Sequence, residues 1–193
     1  MYHDGSRRIQ EMFDSRRIAD RLAQVTVHAA FTGKDREFIE QARMFFLATA
    51  DAEGRPDCSF KGGLPGFVRV TGEAALAWPD YDGNGMYRSL GNIAVNPRVQ
   101  LLFVDFERPR RMRVEGAATL HRDDPVLATM PGAKLVVRLA VDRIFPNCPR
   151  YIPRAERWTD SMYSPGGVAP PPEPEWKSNP EFKDHLPRER RGG

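Results

Sequence analysis

Between residues 6 and 25, Ile9, Met12, Phe13, Ala19, Leu22 and Ala23 recur every three or four positions, the spacing of a helix with one apolar stripe. Asp14-Ser15 interrupts the stripe with cap-forming residues and predicts two helices rather than one. A further helix is expected from Lys34 to Arg43, capped by Thr32, with Phe38, Ile39 and Ala42 on its inner side. The period then shortens. "MFFLATA" (44–50), the turn "DAEG" and "RPDCSFKG" form a hairpin signature. "GFVRVTGEAALAW" repeats it with a turn at Thr71-Gly72-Glu73. "RVQLLFVDF" and "RRMRVEGAATLHR" make a third pair, joined near Glu107-Arg108-Pro109. A short helix near Pro125–Met130 precedes a last long strand, "AKLVVRLAVDRIF". One helix interrupts the strands, from about Gly85 to Val95, ended by Asn96-Pro97 because the residue before proline avoids the α region. Six or seven strands joined mostly by tight turns predict a mainly β (α+β) antiparallel barrel with N-terminal helices and one inserted helix.

Beyond Phe145 the texture changes again. "SPGGVAPPPEPEW" reads as extended or polyproline II chain, either a disordered tail or an arm docked on another subunit. Trp158, Tyr163, Trp176 and Phe182 are the argument for an arm, since large aromatics are costly to leave in water, but the proline-rich stretch does not decide between the two. The expected organisation is a helical segment over 1–43, a barrel over 44–148 and a proline-rich arm or tail over 149–193. At 193 residues the chain is long enough for a real core without staples. Its net charge of +3 is mild and the charges mostly interleave. The run "ERPRRMR" (107–113) is too short for a nucleic-acid surface, so no nucleic-acid partner is expected. Cys58 and Cys148 are far apart, no apolar signal core opens the chain, and no window is long and apolar enough to span a membrane. A cytoplasmic protein with free thiols and no membrane partner is the expectation. His3, His28, His121 and His185 lack metal-ligand spacing, so no metal site is expected.

The chemistry concentrates in "PDYDGNGMYRSLGNIAVNP" (79–97). A helix starting near Gly85 or Met86 would have unpaired N–H groups in its first turn, with Asn84 as cap and Gly83 and Gly85 permitting close ligand approach. Arg88 and Ser89 would lie in or just past that turn, and the combination suits a phosphate. The same residues also fit a plain tight turn with Arg88 on the surface. "CSFKGG" puts Lys61 beside the bare backbone of Gly62 and Gly63, fitting either a planar anionic ligand or an edge-strand lysine. In "RRMRV", strand alternation places Arg111 and Arg113 on one face, facing an anion or solvent.

"FFLATADAEGRPDCSFKGG", "LAWPDYDGNGMYRSLGNIAVNPRVQLLFVDF" and "RPRRMRVEGAATL" resemble the pyridoxamine 5'-phosphate oxidase-like flavoproteins, FMN-binding split barrels, over about residues 36–148. The first forty residues and "FPNCPRY" look like a subgroup whose substrates are mostly unassigned. The resemblance implies a homodimer with two FMN molecules at its interface. The Arg-Lys pair with which the family grips the FMN phosphate aligns with Arg88 and Ser89, so the arginine is kept and the lysine lost. A family arginine aligns near Ser59 and a later glutamine near Arg111. Lys61 or Arg111 then supplies the missing positive charge. "AWPD" (77–80), with Trp78 and Pro79, matches the strand end that lies along the flavin and ribityl chain. The family's substrate-binding Arg-x-His has only Lys183-Asp184-His185 as a loose counterpart, so pyridoxamine phosphate is not the expected substrate.

The expected function is therefore an FMN-dependent oxidoreductase, moving hydride between flavin and an unidentified small molecule, with NAD(P)H as a possible donor. Expected cofactor contacts are Ser59, Lys61, Gly62, Trp78, Pro79, Asn84, Arg88, Ser89 and Arg111, with Lys61 at the flavin's N1–C2 edge. No residue stands out as a general base. The alternative is a non-catalytic flavin or haem carrier or redox sensor.

Overall fold

The computed structural model describes residues 1–167 and 169–186. Helices α1 (Asp4–Met12) and α2 (Arg16–Thr26) break where Asp14 takes a positive φ of 46°. They pair through Arg7, which donates to Asp20 at 2.7 Å. The apolar stripe read from the sequence is left uncovered by this chain: neither helix has a buried residue, and Met12 and Phe13 are more than 70% exposed. A two-way backbone bridge between His28 and Ile144 fastens the helical pair to the barrel. Helix α3 (Gly33–Glu40) starts on Thr32, whose side chain accepts from Asp35 N–H while the Asp35 carboxylate accepts from Thr32 N–H. This reciprocal cap satisfies two N–H groups that a helix start leaves free.

The strands are β1 (Met44–Ala50), β2 (Pro56–Gly62), β3 (Arg69–Gly72), β4 (Ala75–Asp80), β5 (Arg98–Asp105), β6 (Arg110–His121) and β7 (Leu135–Asn147). They form one antiparallel sheet in the order β2-β1-β5-β6-β7-β4-β3. This is the expected split barrel: seven strands curl around one core, but the ends β2 and β3 do not pair with each other. A bulge between Glu115 and Gly116 helps the curl. Only glycine fits there, because a Cβ would lie 2.0 Å from the Ala140 carbonyl oxygen. Phe45 centres the core, with ring centroids of Phe103 at 5.2 Å, Trp78 at 5.5 Å and Phe67 at 5.9 Å.

The inserted helix α4 spans Arg88–Val95, three residues shorter at its start than the sequence suggests. The reason is Tyr87, which sits in the left-handed region (φ 49°) and serves as the capping residue without a side-chain cap bond. Asn84 therefore does not cap the helix; its side chain closes a local turn by accepting from Met86 N–H at 3.0 Å.

The described part of the C-terminal arm docks on its own barrel. Ala155 N–H donates to Phe106 O at 2.9 Å, Trp158 leans on Phe106, and Arg43 pairs with Asp160. Further on, Lys177 reaches Asp82 at 2.6 Å, just before the short helix α5 (Pro180–Lys183). Among the described residues no helix is long and apolar enough to cross a membrane, no cluster of side chains could hold a metal ion, and both cysteines are free.

Candidate functional site

The site grows out of an anomaly in β2. Asp57, Ser59 and Lys61 stand directly opposite Thr49, Leu47 and Phe45 of β1, so they share the face that β1 turns to the core. On an edge strand over a closed core those positions should be apolar. Here they are polar, and beyond them lies a cleft of about 410 Å³ between β2, the end of β4 and the start of α4. Its volume falls in the range of small-molecule sites, roughly 300–1,000 Å³.

Arg88 is the first residue of α4 and crosses to β2, where its Nε donates to Asp57 Oδ1 at 3.0 Å. Asp57 is only 15% exposed and holds the guanidinium by one edge. The terminal nitrogens make no other bond among the described residues and are free for a ligand. Behind them Ser89 is buried in the first turn of α4, where backbone N–H groups have no partner within the helix. Lys61 makes no ion pair among the described residues.

Three carboxylates line the same cleft. Asp57 is paired with Arg88. Asp82 accepts from Lys134 at 2.5 Å and from Lys177 at 2.6 Å, and these two bonds hold its carboxyl below the ordinary range. Asp80 has no side-chain partner among the described residues. Burial pushes its carboxyl up, although Lys61 and Lys134 pull the other way. Burial likewise raises the Tyr81 phenol, against the opposing charge of Arg69.

Of the residues singled out in the sequence, Ser59, Lys61, Gly62, Pro79, Asn84, Arg88 and Ser89 line this one cleft. Trp78 and Arg111 do not. Trp78 is 1% exposed and packs edge-on against Phe45, since its strand position points into the barrel. Arg111 alternates with the core residues Met112 and Val114 and so lies on the other face of β6, with its Nε buried and unbonded. A Cβ on Gly62 would lie 2.8 Å from the ring tip of the exposed Phe60, which would have to swing aside. The sequence reading passed over Asp57, Asp80, Tyr81 and Asp82. The signal for Asp57 was the polar, core-facing side of β2. For Asp80 and Asp82 it was carboxylates at the end of a strand that is otherwise buried.

The family model described as pyridoxamine 5'-phosphate oxidase matches residues 31–155, well over half of the chain. The chain belongs to the pyridoxamine 5'-phosphate oxidase family. Among solved structures, a candidate pyridoxamine 5'-phosphate oxidase from Lactobacillus delbrueckii is 25% identical, with a TM-score of 0.50, over 61% of this chain and 95% of that one. HupZ of Group A Streptococcus is 23% identical with a TM-score of 0.49, over 65% and 98% of the two chains. HutZ, the haem storage protein of Vibrio cholerae, is 19% identical with a TM-score of 0.44, over 58% and 91%. No curated protein sequence matches the chain. The pyridoxamine 5'-phosphate oxidase family match takes in the whole cleft and every strand around it, together with α3 and the first residues of the arm.

Proposed function

We propose that this member of the family is an FMN-dependent oxidoreductase acting on a small molecule. The observation that carries the reading is the pairing of Arg88, free at its terminal nitrogens, with the open first turn of α4 in a cleft that also holds an unpaired Lys61. A fixed guanidinium and N–H donors at a helix start suit a phosphate monoester. Gly83 leaves open space, with no atom within 4 Å of where a Cβ would stand. The residues present thus fit FMN. Arg88, Ser89 and the first N–H groups of α4 would hold the phosphate, with Asp57 keeping the guanidinium in place. Pro79, Asn84, Ser59 and Gly62 would line the rest. When bound, FMN supplies hydride transfer. Lys61 contributes an ammonium free to stabilise negative charge that develops beside β2, where the low-dielectric wall strengthens its effect.

The functional unit we propose is a homodimer. The uncovered stripe of α1 and α2, together with Phe60 and Val95, leaves large apolar side chains in water in a single chain. Arg111, remote from the cleft of its own protomer, reaches a cleft only if a second protomer brings it there. Light scattering on the eluted protein tests this; a monomer at micromolar concentration overturns it.

The test of the cofactor is reconstitution with FMN followed by desalting. Flavin absorbance should be retained at one equivalent per chain and bleach under anaerobic NADH or NADPH. Loss of flavin on desalting overturns the reading. A Soret band in the purified protein replaces it with a haem carrier; among the described residues of one chain the cleft offers Cys58, Met86, Tyr81 and Tyr87, and no histidine, as axial ligands.

A further inference from the structure

The wall of the cleft across from β2 is the segment 81–87, which joins β4 to α4 and places all of its residues in the lining. It is neither helix nor strand, and beyond the half-buried Tyr81 it is exposed throughout. Gly83 and Gly85 have open space where a Cβ would stand, and Gly85 and Tyr87 take positive φ values of 76° and 49°. Asn84 bonds only inside the segment, to Met86 N–H. Among the described residues, two hydrogen bonds tie 81–86 to the rest of the protein. Both end on Asp82: Lys134 Nζ donates to Oδ1 at 2.5 Å and Lys177 Nζ to Oδ2 at 2.6 Å. A glycine-rich wall with so few ties belongs to the least stable part of a fold, and here a single carboxylate clasps it.

The two lysines differ in origin. Lys134 immediately precedes β7, and its own N–H donates to Asp80 O at 2.8 Å, so it is fixed to the barrel. Lys177 is brought by the C-terminal arm. On its way the arm sets Pro165 against Gly132, where a Cβ would lie only 2.8 Å away, two residues before Lys134. It then passes Leu64, whose Cδ1 is 4.0 Å from where a Cβ on Gly166 would stand. Leu64 belongs to the β2–β3 connection, which contributes Phe67 to the cleft. The arm thus touches the loop that carries one lysine, touches the opposite lip of the cleft, and supplies the other lysine itself. Lys177 is 20% exposed, well covered for a surface lysine, yet it does not line the cleft.

We propose that segment 81–87 is the gate of the cleft and that the C-terminal arm is its catch, with Lys177 as the positioning residue. While Asp82 is held by both lysines, the wall stands closed over the occupant. When Lys177 lets go, the segment hangs on Lys134 alone and swings outward, turning at Gly83 and Gly85. The inference rests on the cleft being the cofactor site proposed above, and it adds that the arm sets how fast the cofactor comes and goes. A gate has a kinetic signature that a ligand contact lacks. Loosening it speeds entry and release together, whereas losing a contact to the ligand speeds release alone.

The test follows FMN fluorescence during association and release in stopped flow, on the full chain. An exposed ion pair is worth up to about fivefold, so Lys177→Ala should speed entry and release by about threefold each. Lys177→Arg, which keeps the charge and the reach, should retain the wild-type rates. Lys177→Ala made on top of Asp82→Asn should change neither rate further, because the lysine acts only through that carboxylate. Without cofactor, hydrogen exchange at the amides of 81–87 should quicken in Lys177→Ala while β1 and β5 stay protected. Release quickened with entry unchanged would make Lys177 a support of the ligand and overturn the gate, as would unaltered exchange across 81–87. Failure of the wild-type protein to bind FMN sinks the cofactor reading and this inference together. FMN binding at rates indifferent to Lys177 sinks this inference alone.

Discussion

Replacing Arg88 by alanine should weaken FMN binding by a definite amount. A hydrogen bond to a charged group contributes about 1.5–3 kcal/mol, and each 1.4 kcal/mol is about tenfold in affinity. The Arg88 side chain is 64% exposed, so solvent and salt screen it and the lower end applies, about tenfold near 0.15 M salt. Removing the guanidinium has a second effect. It strips Asp57 of its partner and leaves a bare carboxylate beside the phosphate. Across roughly 6 Å at water-like dielectric, that repulsion is about 0.7 kcal/mol, a further factor of about three. Arg88→Ala should then lose about thirtyfold, and adding Asp57→Asn should recover about threefold of it. Quenching of FMN fluorescence on titration with cofactor-free protein measures all three proteins, and lowering the salt should widen the gap between wild type and Arg88→Ala. Two results refute the reasoning: a change within twofold for Arg88→Ala, or a double variant that binds more weakly than the single.

Asp80→Asn should stabilise the folded protein at neutral pH. Burial raises the Asp80 carboxyl, so its ionised form destabilises the fold; the penalty is absent below the ordinary value of 3.8 and complete once the pH exceeds the raised folded value. Thermal melts should show a gain at pH 7 that vanishes near pH 3. Lys177→Ala should release the arm from Asp82, read as faster proteolysis between residues 161 and 176 with the barrel intact. The lysine bonds lower the Asp82 carboxyl, so in the wild type the same release should appear as the pH falls through the folded value of Asp82. Gly116→Ala drives a Cβ into the Ala140 carbonyl and should cost on the order of 3 kcal/mol, about 6–12 °C in Tm; an unchanged melt would remove the bulge from the account of how the sheet curls.

What the sequence revealed was mostly local. The Asp51–Gly54 turn, the Thr32 cap and the break at Asp14 depend on residues within a few positions of one another, and short-range chemistry determines them. Sheet order was less legible, because β4 pairs with β7 across some sixty residues and no turn announces it. The start of α4 was misplaced because tyrosine in a left-handed conformation has no composition signal. Trp78 looked like a flavin-facing residue since its strand ends at the cleft, yet strand alternation turns it inward. The carboxylates were hardest to see. Asp57 resembles any turn-flanking acid until β2 is laid beside α4, and the burial of Asp80 becomes visible only when β4 is placed against its neighbours.

Two ion pairs, Arg43–Asp160 and Lys177–Asp82, fasten the arm to the barrel. The chain between them is also held at Pro165, which lies against Gly132; closing the loop beyond it depends only logarithmically on its length, about 0.6 kcal/mol per doubling. Insertions and deletions there should be tolerated over evolutionary time with little effect on either anchor. Related chains are then expected to differ widely in the length of this span while retaining the arginine, the lysine and their two acidic mates.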